Sequence, residues 1–147
     1  MRVLFSSIAA TAFLIAGTLP GHAAGKVVPA SSQPAAGQTY RFEMADAPES
    51  AGEGKHVISV RLIRAADNKP VAGAVIIQTR LDMSPENMSS MTAPLKPVLA
   101  RVSGIYSFVT DDSKFWKWKG KWALSLTAKV QGEPRPVTGS VVFQAGQ

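Results

Sequence analysis

HVISVRLIR, His56 to Arg64, is the stretch that decides the fold. Ile58, Val60 and Leu62 fall on one side and Ser59 and Arg61 on the other, the period-two alternation of a strand with one buried face. ADNKP, Ala66 to Pro70, then turns the chain, with Asp67 and Asn68 suited to the turn. A second alternating run follows: Val75, Ile77, Thr79, Leu81 and Met83 are expected on one face, with Gln78, Arg80 and Asp82 opposite.

Outward from this pair the same pattern repeats. Tyr40 to Met44 reads as a short strand and ADAPESAGEG, Ala45 to Gly54, as a loop. SPENMSSMTAPLKP, Ser84 to Pro97, carries three prolines and reads as a long loop, because proline cannot donate to a strand ladder. Strands are expected again at Val98 to Val102, Ile105 to Val109, Trp122 to Val130 and Val137 to Phe143, with polar turns TDDSK and QGEPRP between them. About seven short strands without an amphipathic helix define an all-β, immunoglobulin-like β-sandwich; a small closed barrel is the alternative. The expected core is Ile58, Val60, Leu62, Val75, Ile77, Leu81, Tyr106, Phe108, Trp122, Leu124, Leu126 and Phe143.

Composition bounds the rest. The chain has 147 residues, 46% hydrophobic and 18% charged, enough for one domain and too apolar for intrinsic disorder. Residues 1–24 read as a secretory signal peptide: Arg2, an apolar stretch from Val3 to Ile15, breakers at Gly17, Pro20 and Gly21, and cleavage after Ala23 or Ala24. An uncleaved anchor is the alternative, but the apolar stretch is short for a span. Residues 25–38, rich in Pro, Ala, Ser and Gly, read as a flexible tether, and residues 39–147 as the sandwich domain. With no cysteine there is no disulfide, thiolate metal site or lipid-modified N-terminal cysteine, which suits an exported periplasmic protein that relies on its core. The formal charge of +6 favours anionic partners, but export and the lack of a basic block argue against nucleic acid.

The order of features resembles the YtkA-like family of exported bacterial β-sandwich domains, related to the periplasmic part of FixH-like proteins. The resemblance is carried by NKPVAGAVIIQTRLDM at Asn68 to Met83, the methionine-bearing segment at Met88 and Met91, SGIYSF at Ser103 to Phe108 and GKWALSL at Gly120 to Leu126. It spans roughly residues 55 to 144 and implies a small exported module, often found near metal-efflux or copper-handling functions, with no established catalytic activity. Where that family is expected to carry methionine, two positions before the glycine of Gly-x-Trp, this chain has Trp118.

Catalytic chemistry is poorly supplied. After residues 1–24 the one histidine is His56, no Gly-x-Ser-x-Gly elbow occurs, and Asp111 and Asp112 sit where a turn would use them. Two constellations remain. Met83, Met88 and Met91 offer soft thioethers, which prefer Cu(I) and need no deprotonation, with Trp118 or Trp116 to shield the ion. The competing reading is packing, since methionine fills irregular gaps. KFWKWKGKW, Lys114 to Trp122, interleaves lysine and tryptophan. It reads either as an amphipathic strand or as an edge, with Trp116, Lys117, Lys119 and Lys121, that docks on an envelope or metal-transport protein or on anionic lipid.

Overall fold

The computed structural model describes residues 39–110 and 119–145. The expected signal peptide and tether, the acids Asp111 and Asp112, and Trp116, Lys117 and Trp118 lie outside the described residues. Among the described residues ten strands form two antiparallel sheets. The first contains β1 (Tyr40–Met44), β2 (Glu49–Gly52), β3 (Lys55–Arg64), β4 (Lys69–Pro70), β7 (Lys96–Val98) and β8 (Ile105–Thr110). The second contains β5 (Val75–Met83), β6 (Met88–Ala93), β9 (Gly120–Lys129) and β10 (Val137–Ala145). The orders β1-β3-β8-β7 and β10-β9-β5-β6 are those of an immunoglobulin-like sandwich, with the chain crossing between sheets after β4, β6 and β8. No ladder joins the two sheets among the described residues, which separates the fold from a closed barrel.

The alternation in β3 holds as read: Ile58, Val60 and Leu62 are fully buried. They meet Phe42 from β1 and Phe108 from β8 in one core with Leu81, Trp122, Leu124, Leu126, Val141 and Phe143 from the facing sheet. Tyr106 packs at the margin of this core, and its hydroxyl donates to the Val71 carbonyl at 2.7 Å and accepts from the Ala74 amide at 2.9 Å. Those bonds fix the crossover from β4 to β5.

Four expectations are corrected. Val75 and Ile77 are 60% and 55% exposed instead of buried. A bulge between Ile76 and Gln78 changes the parity of β5, so that Ile76, opposite Ala128, packs against the core. Residues 84–97 are a single 3-10 turn, Ser84–Glu86, followed by β6 and β7, because the prolines fall at the turn, between strands and on an edge strand where ladder donors are not all needed. The loop expected over Ala45 to Gly54 contains β2, which closes a tight hairpin onto β3 through left-handed Glu53 and flanking glycines. The strand expected at Val98 to Val102 ends at Val98, where pairing with Ser107 stops.

Candidate functional site

The β5–β6 hairpin holds the methionines. Leu81 pairs with Ala93 and Asp82 with Thr92; continuing that ladder would set Met91 opposite Met83, but a shift sets Met88 there instead. Met83 is 1% exposed and belongs to the core, Met88 is 36% exposed, and Met91 is partly buried against the core. The three therefore run from the core to the surface around one irregularity, with Met83 as floor.

Polar contacts hold that irregularity in place. The buried Asp82 carboxylate accepts from Arg80 Nε at 2.6 Å and from the Ser84 amide at 2.9 Å. Burial by itself raises the pKa of this carboxyl, but the hydrogen bonds from Ser84 and the Arg80 guanidinium outweigh it and hold the group below its ordinary value. Arg80 Nη2 also donates to the Ser89 carbonyl at 2.8 Å, tying the start of β6 to β5. Glu86 Oε1 accepts from the Lys121 amide at 3.1 Å and joins the 3-10 turn to β9. Gly120, at φ +149, leaves room beside it: an added Cβ would lie 2.9 Å from the Met83 methyl.

Lys119 and Lys121 are exposed at the start of β9. Trp116, Lys117 and Trp118, the other members of that expected edge, are not among the described residues, so the tryptophan proposed to shield a bound ion has no described position. Among the described residues no group of three His, Asp or Glu side chains is arranged to hold a metal ion.

His56 sits on β3 opposite Thr110 and is 5% exposed. Burial disfavours its charged form and lowers its pKa from the ordinary 6.5. The unfolded chain then binds the proton more readily than the folded one, so stability is lost as pH falls from about 6.5 toward the lowered folded value. Urea midpoints should accordingly decrease between pH 7.5 and 5.5, and His56→Gln should flatten that dependence. Asp82 acts separately: its lowered pKa adds stability that is lost only as pH falls below about 4. An unchanged slope in the His56→Gln variant would remove His56 as its source.

The surface that sequence reading missed is the turn between β7 and β8. Val98, Ala100 and Val102 alternate as a strand would, yet Leu99 is 100% and Val102 59% exposed. The signal available was Pro97 before this stretch and Ser103-Gly104 after it, which bound a turn as readily as a strand. Comparison with family models, with curated proteins and with solved structures finds no match to this chain.

Proposed function

We infer that this chain is a non-enzymatic, exported β-sandwich module that binds Cu(I) through Met83, Met88 and Met91. What supports this reading is the ladder shift that sets Met88 opposite Met83 and leaves Met91 three residues along the same strand. Side chains directly opposite across a ladder share a face, and thioethers form a soft donor set that favours Cu(I) over Zn(II) or Mg(II). Met88 and Met91 form the entrance and Met83 the inner donor. The bonds from Arg80 to Asp82 and Ser89 preset the hairpin, so little ordering is left for the ion to impose. The YtkA-like resemblance, with its implied periplasmic copper handling, agrees with this role and suggests an envelope or metal-transport protein as the partner.

The test is competition with a chromophoric Cu(I) chelator under reducing conditions. Because thioethers do not titrate, affinity should change little between about pH 5 and 8. Replacing Met88 and Met91 together with Leu keeps approximate volume, so stability should change by less than about 1.5 kcal/mol per site while Cu(I) binding falls at least tenfold. Equal binding by the double variant, or no binding by the parent chain, assigns the methionines to packing.

A further inference from the structure

At the end of the sandwich away from the methionines, exposed apolar residues lie among exposed basic ones. Val98, Leu99 and Val102 are 40%, 100% and 59% exposed around the β7–β8 turn, with exposed Arg101 between the last two. The start of β5 lies at the same end. A Cβ on Gly104 would be 3.4 Å from Pro70, Pro70 pairs with Ile63, and the Ala74 amide donates to Tyr106, which puts exposed Val75 beside this crossover. Lys129 pairs with Val75, and Glu133 in the β9–β10 turn reaches the Tyr40 hydroxyl at 2.7 Å, so that turn and Arg135 belong to this end as well.

The charges there are one-sided. Arg64, Lys69, Arg101, Lys129 and Arg135 are all exposed. Against them, among the described residues, stand Asp67, which is paired with Arg64 at 3.2 Å, and Glu133, which accepts from Tyr40. An isolated exposed leucine needs no explanation, but several apolar side chains projecting from one turn within a basic rim match an anionic bilayer. The apolar tip enters the headgroup–acyl boundary while Lys and Arg remain at the phosphates. A protein partner would have to present both an apolar groove and an acidic rim to match this surface, whereas an anionic bilayer supplies both along its whole plane.

We propose that the β7–β8 turn, led by Leu99 and Val102 and rimmed by Arg101, Lys69 and Lys129, docks this domain on an anionic lipid surface, with the methionine hairpin directed away from it. This surface is independent of the copper reading and lies at the opposite end from Lys119 and Lys121.

The absence of cysteine from the chain permits a site-specific test in the full chain. Ser103→Cys, carrying an environment-sensitive fluorophore, reports the tip, and Glu53→Cys in the β2–β3 turn reports the opposite end. With phosphatidylglycerol-containing vesicles at low ionic strength, the label at 103 should shift to the blue and be quenched by brominated acyl chains, and the label at 53 should not. Phosphatidylcholine vesicles and high salt should both weaken the response. Adding Leu99→Asp and Val102→Asp, or Arg101→Glu, should lower vesicle affinity measured at the label by about tenfold or more. Both changes are at exposed positions, and a retained urea midpoint confirms an intact fold. No response at position 103, equal response with both lipids, or loss of binding on Lys119→Glu with Lys121→Glu but not on the tip changes would overturn the proposal. A tip that binds an isolated envelope protein but no vesicle would overturn it too, in favour of a protein partner.

Discussion

Leu124→Ala should destabilise the fold by about 2 to 5 kcal/mol, through lost burial and the cavity left behind. Leu124 is fully buried at the centre of β9, opposite Val141 on one side and Leu81 on the other. Its neighbours belong to continuous ladders, so the backbone cannot readily collapse into the space. Ile77→Ala supplies the contrast. By sequence parity Ile77 belongs to the same core, but it is 55% exposed, and its truncation should stay within about 0.5 kcal/mol. Urea midpoints of the two variants measure the difference directly. Comparable losses would place Ile77 back in the core and remove the bulge as the explanation of its exposure.

The contrast between these residues shows what pattern could and could not convey. Where β3 pairs with β8 and β9 with β10 the ladders run without a register shift through the alternating stretch, and the inward faces follow directly from the sequence. In β5 one extra residue near Ile76 reverses the parity, and nothing in VIIQTRLDM distinguishes an apolar residue that faces the core from one in a bulge. The methionines show a related limit. Their spacing was visible, but which of Met88 and Met91 stands opposite Met83 depends on where Arg80 holds Ser89, a contact nine residues apart in the chain and decided by the tertiary fold. The segment from Ser84 to Pro97 departs from the expected loop for a different reason. Proline excludes a central strand, yet Pro97 sits on β7, at the outer edge of its sheet, where proline is tolerated and also discourages pairing with another chain.

Gly139→Ala should destabilise the protein by about 1 to 3 kcal/mol, although glycine is intrinsically a poor strand residue. Relieving a glycine of its extra unfolded-state freedom ordinarily stabilises by about 0.5 to 1 kcal/mol. Gly139 carries no left-handed backbone that would forbid a side chain. The obstacle is space: an added Cβ would lie 2.7 Å from Cδ2 of Phe42, well inside contact distance. Phe42 is 1% exposed, so its ring cannot swing into solvent, and it crosses from β1 of one sheet to β10 of the other. The glycine thus allows a large aromatic ring to close this corner of the sandwich. The same substitution in a Phe42→Leu background separates the two contributions, because the smaller side chain vacates the ring position. There, Gly139→Ala should become neutral or stabilising, so the double-mutant cycle should show a coupling between the two positions of at least about 1 kcal/mol. Additive effects in that cycle would mean that Gly139 is required for a reason other than the Phe42 ring.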